Sequence, residues 1–482
     1  MMFVNFDKDP FFIEVLKRLQ NRHGYNIISV SAGLRLNHFP EGGFESIDST
    51  LLHRERTIAK AFKGCRPALL TAREFQAFSE CRTYFSRTLD RVFLTPIPVR
   101  SQETFFNELL SYILSYFRKN RNIEAVIFDA APHVPWDIAI FFVARYLKIE
   151  TRIVKRTLLN DRVILDSDFR KAFGKIIRFD ENEQFVGDIE IPKKGNASFW
   201  LGWSKSVNQR LKNSIFSSII MEFIAAYPWL VVFFLKSCRK YRVGYARLAP
   251  GRFFLFLNLQ KIKVLALRRW LLANCDTVSM SVPFIYFALH FQPERSTDPE
   301  AEDFTHQYLA LRILADSLPA GWRIYVKEHP RQISPHPDVR MTHYRSIEDY
   351  KMIRSIPNVD LVHPEYDAEA LIAHCRMTAT CTGSTVWEGM LDGKPGITFG
   401  RVWHNDCESS FVVSGREECA EAFRVLSKKN KTRVEKDVQD FLSEFQCSMI
   451  VSSNSEMSAS ASKIPRETLI YNLADAIRKS LP

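Results

Sequence analysis

Short apolar runs, each followed by a turn and a helical pattern, recur along this chain, and that rhythm restricts the fold more than any other feature. In the N-terminal part the runs are NIISVS (26–31), EAVIFD (124–129) and 151–155. Around them, 10–22, 104–119 and 136–147 carry apolar residues at helical spacing, and Pro10 stands where a first helical turn tolerates proline. The rhythm returns at PFIYFAL (283–289). It continues with helix 300–317, strand 323–327, helix 346–355, strand 359–362, helix 368–374, strand 377–380, helix 384–391 and strand 396–399. Runs that are apolar throughout are buried on both faces, so parallel sheets covered by helices are expected.

A chain of 482 residues exceeds a single core, and two doubly wound α/β domains are expected. The boundaries read as 1–192 and 276–447. Between them, 193–275 breaks the rhythm and reads as a basic, aromatic helical insertion or linker. Beyond them, 448–482 reads as a Ser-rich, flexible linker and a closing helix at 465–480. In such sheets ligands bind beyond the carboxyl ends of the strands, here in a cleft between the domains.

The net charge is +12, and it is concentrated. From 201 to 275 there are thirteen Lys and Arg and one acid, Glu222, which equals the surplus of the whole chain. The remainder is balanced, so a general nucleic-acid surface is not expected. Within this segment, 223–235 (FIAAYPWLVVFFL) is apolar but shorter than the roughly 20 residues of a membrane span. Lys236, Arg239, Lys240 and Arg242 follow it. It reads either as an interfacial segment held on anionic lipid, at the inner face of the cytoplasmic membrane, or as a buried helix linking the domains. The nine cysteines are irregularly spaced without a CxxC, and no basic start precedes an apolar core at the N-terminus. Reduced thiols and a cytoplasmic location are the expectation.

Three segments can carry chemistry. Thr382-Gly383-Ser384-Thr385 lies between a strand and a helix, where free N–H groups and hydroxyls can hold a phosphate. The same residues also suit a simple helix N-cap. Glu388 lies one turn further on and can accept a ribose hydroxyl. Lys327-Glu328-His329-Pro330 ends a strand, so His329 can donate to a phosphate or a leaving group, or simply satisfy backbone. His290, Gln292 and Glu294 sit in HFQPE after the second domain's first strand. In the first domain, DAAPHVPWD places Asp129, His133 and Asp137 where a base can take a proton from an acceptor hydroxyl. Asp161, Asp166 and Asp168 form a weaker acidic group on a hairpin-like stretch. No GxxxxGK[ST], no GxGxxG after a strand and no HExxH occurs, which excludes a P-loop NTPase and leaves no dinucleotide fingerprint or zincin helix.

LHFQPERSTDPEA (289–301), VKEHP (326–330) and TGSTVWEGMLDGKPGITFG (382–400), in this spacing, resemble the capsule polysaccharide biosynthesis family, also called surface carbohydrate biosynthesis proteins. The resemblance covers 283–400 well and the first domain loosely. It implies a GT-B glycosyltransferase with two Rossmann-like domains, related to bacterial Kdo transferases and sialyltransferases. Their HP and Ser-Ser or Ser-Thr motifs bind the CMP part of the donor, which carries over to His329, Pro330, Ser384 and Thr385. The implied donor is a CMP-activated acidic sugar such as CMP-Kdo, with no metal or other cofactor required. The implied acceptor is a glycan or lipid-linked saccharide. His290, Gln292, Lys327, Gly383 and Glu388 complete the expected donor site. The acidic-acidic-glycine motif of the sialyltransferase base does not occur, so the base stays open among Asp129, His133, Asp137 and Glu294. Polyol-phosphate transfer from a CDP donor, as in teichoic-acid polymerases, and a non-catalytic GT-B scaffold are the alternatives.

Overall fold

The structure, a computed structural model, describes residues 2–5, 9–31, 45–48, 52, 55–62, 64–92, 97–171, 175–187, 250–333 and 344–482. The apolar run at 223–235 and the cations Lys236, Arg239, Lys240 and Arg242 lie outside the described residues. The chain forms two compact units, one of Met1–Val92, Pro96–Glu190 and Leu442–Pro482, the other of Phe93–Thr95 and Ile191–Phe441.

The first unit holds β1 (Met2–Asn5), β2 (Ile27–Ser31), β3 (Glu45–Asp48), β4 (Ala125–Phe128), β5 (Glu150–Arg156), β6 (Arg162–Asp166) and, from the far end of the chain, β13 (Ile450–Val451). Its helices are α1 (Pro10–His23), α2 (Glu55–Ala61), α3 (Ala72–Ala77), α4 (Ser79–Val92), α5 (Val99–Lys119), α6 (Pro135–Tyr146), α14 (Glu456–Ala461) and α15 (Arg466–Lys479). The strand order is β13-β6-β5-β4-β1-β2-β3, so the winding reverses between β1 and β4. α1 shows how locally its limits are written. Asp9 accepts the N–H groups of Phe11 and Phe12, Pro10 fills the first turn, and Gly24 ends the helix at φ +70°.

Two expectations for this unit change. The sheet is not wholly parallel, because β5 and β6 pair antiparallel. Five residues join them, too few for a crossover, and Asp161 takes the left-handed turn position at φ 54°. The stretch expected to be a flexible linker instead supplies β13, antiparallel to β6, and α14. Ser448, Ser452 and Ser453 are buried, and two of them are bonded: Ser452 Oγ donates to the Leu469 carbonyl at 2.7 Å and Ser453 Oγ to that of Ser455 at 3.0 Å. The Glu456 N–H donates to Asp9 at 2.8 Å, tying this end of the chain to the start of α1. Ile450, Leu469 and Leu473 share one core with Phe11, Phe12 and Leu16.

The second unit holds β7 (Phe284–Ala288), β8 (Arg323–Lys327), β9 (Val359–Val362), β10 (Met377–Thr380), β11 (Gly396–Thr398) and β12 (Ser410–Val412). Its helices are α7 (Pro250–Ala273), α8 (Tyr308–Asp316), α9 (Ile347–Arg354), α10 (Ala368–His374), α11 (Thr385–Leu391) and α12 (Arg416–Leu426), and α13 (Lys431–Phe445) leads back to the first unit. All six described strands are parallel in the order β12-β11-β10-β7-β8-β9, a doubly wound sheet that reverses between β7 and β10. Alternate residues face two cores. Ile285, Phe287, Ile324 and Val326 pack on one side, Phe284, Tyr286 and Tyr325 on the other. Leu267 and Leu271 of α7 enter the first of these, so the end of the basic segment is part of this unit. Among the described residues, no helix is long and apolar enough to cross a membrane.

Candidate functional site

In a doubly wound sheet, the strands flanking the point of reversal send their following loops to opposite sides and leave a crevice at their carboxyl ends. In the second unit these strands are β7 and β10, with β8 adjoining β7. The loops after these three strands carry His290, the Lys327–Pro330 segment and the 382–385 turn, so the three motifs converge on one sheet edge.

His329 is half-buried, and its Nδ1 accepts the Arg331 N–H at 3.2 Å. The neutral ring therefore carries its proton on Nε2, which has no hydrogen-bond partner among the described residues. Burial pushes the imidazole down to about 3, reinforced by the positive neighbours Lys327, His290 and Arg331. At neutral pH His329 is an uncharged hydrogen-bond donor. Phe291 backs it at 5.8 Å between ring centroids and also carries the Arg331 guanidinium 4.5 Å from its ring centre. Pro330 opens a 3-10 turn, closed by Gln332 N–H on the His329 carbonyl at 2.9 Å.

Lys327 ends β8 and is only 5% exposed. Its ammonium makes no hydrogen bond or ion pair among the described residues. Burial lowers it to about 8, against the pull of Glu328 and Asp367.

His290 takes another role than direct donor contact. It is buried, and its Nε2 accepts the Thr382 N–H at 3.0 Å and lies 3.0 Å from Thr380 Oγ1. Burial and Arg345 push it down to about 3, so it stays a neutral acceptor. The ring thus pins the 382–384 turn from beneath. Gly383 is required there, since a Cβ would lie 2.8 Å from Thr380 Oγ1 and 3.2 Å from His290 Cε1. Thr382 Oγ1 donates to the Ser296 carbonyl, locking the turn to the loop after β7. Ser384 stands at the N-cap of α11, but its side chain makes no cap hydrogen bond. The simple capping reading is thereby set aside. Glu388 is held above the usual carboxylate range, chiefly by burial. Thr385 is buried at the first helical position.

Gln292 is fully engaged. Its N–H donates to Gln332 Oε1 at 2.9 Å, its Nε2 to the Thr305 carbonyl at 3.0 Å, and its Oε1 accepts from Gln307 at 3.2 Å and Arg345 at 2.5 Å. It braces the loop rather than presenting a group to a ligand. Glu294 is half-buried in the same loop and accepts Ser296 Oγ at 3.2 Å.

In the first unit, Asp129, His133 and Asp137 gather where β4 gives way to α6, at that sheet's own point of reversal. His133 Nδ1 donates to the Ala131 carbonyl at 2.8 Å, which leaves Nε2 as the basic nitrogen of the neutral ring. Asp137, buried in the first turn of α6, lies 3.9 Å from the same Nδ1. Two of the acids beyond β5 are engaged in ion pairs. Asp166 pairs with buried Lys155 at 2.9 Å, and Asp168 with Arg170 at 2.7 Å. Among the described residues, no group of three or more His, Cys, Asp or Glu could hold a metal ion.

Glu328 and Arg345 escaped the sequence reading. Both are buried and joined at 3.1 Å behind His329. The charge inside VKEHP was a usable signal for Glu328, whereas nothing local marks Arg345.

No family model matches the chain, and no curated protein matches it. Similar solved structures include Thermosulfurimonas dismutans KpsC, a beta Kdo 2,7 transferase, at 8% identity and TM-score 0.33, covering 99% of this chain and 100% of that one. The UDP-GlcNAc 2-epimerase of Methanocaldococcus jannaschii is similar at 11% identity and TM-score 0.24, covering 92% and 99%. Os79 from O. sativa, solved with UDP and deoxynivalenol-3-glucoside, is similar at 12% identity and TM-score 0.25, covering 98% and 99%. Likeness at this level carries no argument for a shared activity.

Proposed function

We propose that this chain is a GT-B glycosyltransferase of surface polysaccharide synthesis whose second unit binds a nucleotide-activated sugar. The observation that carries the reading is a neutral His329 whose Nε2–H has no partner among the described residues, at the same sheet edge as the pinned 382–385 turn. These are preset donors in a half-buried setting, suited to the oxygens of a phosphate. Lys327 adds a positive charge that makes no ion pair among the described residues.

The reaction follows from these parts. A base takes the proton of an acceptor hydroxyl as its oxygen bonds to the anomeric carbon. The bond from that carbon to the donor phosphate breaks, and CMP departs with the electron pair. Charge grows on the phosphate oxygen, where His329 Nε2–H, the Ser384 and Thr385 hydroxyls and the N–H groups of the turn receive it. For the base, His133, whose Nδ1–H is held by Ala131, is one candidate. Asp129, Asp137 and Glu294 are the other candidates. The motif resemblance favours a CMP-linked acidic sugar, and Glu388, one helical turn beyond Ser384, is the residue proposed to accept a ribose hydroxyl. The basic segment 201–275 is proposed to hold the enzyme on anionic lipid, where lipid-linked acceptors lie.

Release of CMP from a panel of CMP-sugars and CDP-polyols, with and without acceptor glycolipids, tests the reading. Turnover of a CMP-sugar supports it, turnover of a CDP-polyol moves it to phosphotransfer, and nucleotide binding without turnover leaves a scaffold.

A further inference from the structure

The two arms of the proposed phosphate site are held by one buried polar network, and its strongest bonds converge on a residue with no assigned role. The Glu328 side chain is completely buried. Its Oε1 accepts the backbone N–H of His329 at 2.6 Å. Its Oε2 accepts Arg345 Nε at 3.1 Å and the Tyr350 hydroxyl of α9 at 2.5 Å. Arg345 passes the connection to Gln292, Gln292 to Gln307, and Gln307 Oε1 accepts the His290 N–H at 2.9 Å. His290 in turn holds the Thr382 N–H. The chain of bonds therefore runs from the His329 turn to the Thr382 turn through the interior.

We infer that Glu328 is a positioning residue: by fixing the backbone of His329 from behind, it keeps the Nε2–H aimed out of the protein, and Arg345 keeps Glu328 in place. The inference rests on the proposed role of His329. Two features separate it from a plain buried ion pair. A buried pair contributes little net stability compared with apolar residues of similar size, so stability alone gives it little reason to be there. Further, the atom bonded to His329 is not shared with Arg345 or Tyr350, so one oxygen serves the turn alone.

The test compares two double variants that both remove the buried charges. Glu328→Met with Arg345→Met removes the acceptor for the His329 N–H. Glu328→Gln with Arg345→Met retains an amide oxygen that can take that bond. Thermal unfolding establishes that both fold. Two readouts follow, the kcat and KM of CMP-sugar turnover and the side-chain 15N shifts of His329 in 15N-histidine-labelled protein. The expected result is a kcat loss of roughly 10²-fold in the double-Met variant, with a smaller change in KM, and recovery of most of it in the Gln variant. His329 is expected to keep its Nε2–H tautomer in the native protein and the Gln variant and to become mixed in the double-Met variant. Equal kcat in the two variants, or an unchanged tautomer in the double-Met variant, would overturn the inference. If native protein turns over no donor, the proposed activity fails, while the tautomer comparison still decides the role of Glu328.

Discussion

Replacing Lys327 by Met should make the protein more stable, although it removes a residue of the proposed site. The two side chains are similar in length, and Lys327 is 5% exposed with no partner for its ammonium among the described residues. Burial lowers its amine from 10.5 to about 8. A tenfold change in an acid dissociation constant corresponds to about 1.4 kcal/mol, so at pH 7 the charged amine destabilises the native state by about 3 kcal/mol. Methionine has no such cost. For a unit of this size the change corresponds to roughly 6–12 °C in the unfolding midpoint. The pH dependence is the sharper signature. Between pH 8 and 10.5 the unfolded state binds more protons at this lysine than the native state does, so native stability rises with pH over that window. The advantage of Lys327→Met should thus be full at pH 7 and shrink to about 1 kcal/mol by pH 10. Scanning calorimetry of the full chain at pH 7, 8.5 and 10 measures it. An advantage independent of pH, or a destabilised variant at pH 7, would refute the reasoning. An anion bound beside Lys327 should stabilise the native protein more than the variant.

Other outcomes follow from the same geometry. His329→Ala should fold normally by circular dichroism yet lose about 10²–10³-fold in kcat, as expected for a lost charge-stabilising donor. Gly383→Ala should weaken CMP binding at least about tenfold in calorimetric titration, because its Cβ meets Thr380 and His290, and overpacking should cost about 1–3 kcal/mol of stability. His290, His329 and His404 are all pushed down to about 3 by burial, so the native state stays neutral at each while the unfolded state takes up protons below about 6.5. Stability should therefore fall as pH drops from 6.5 toward 3, and His404→Gln should flatten the melting-temperature curve over that range.

Much of the fold was legible because buried parallel strands announce themselves. FIYFA, RIYVK and MTAT have few other uses, and the turns after them hold the Gly, Pro and His that drew attention. What escaped depended on contacts distant in sequence. β1 pairs between β2 and β4, with Met2 opposite both Ile27 and Ala125, a placement that no local pattern encodes. The serines around 448–455 read as a linker because their hydroxyls look solvent-seeking, yet they satisfy buried backbone. In the site, residue type was legible but role was not. His290 and Gln292 were read as ligand contacts, while their hydrogen bonds turn inward. Lys327 was read as a donor contact, but its burial and the absence of an ion pair among the described residues were not visible in the sequence. Arg345 lies 53 residues from Gln292 in sequence, and only the fold joins them.

The central claim is that the loops after β7, β8 and β10 recognise a nucleotide phosphate. Calorimetric titration of CMP and of cytidine into native protein and into His329→Ala tests it most directly. The account predicts CMP binding at least about tenfold tighter than cytidine, corresponding to about 1.4 kcal/mol, with most of that gap lost in His329→Ala. Equal affinity for CMP and cytidine in native protein, or an undiminished gap in the variant, would contradict it.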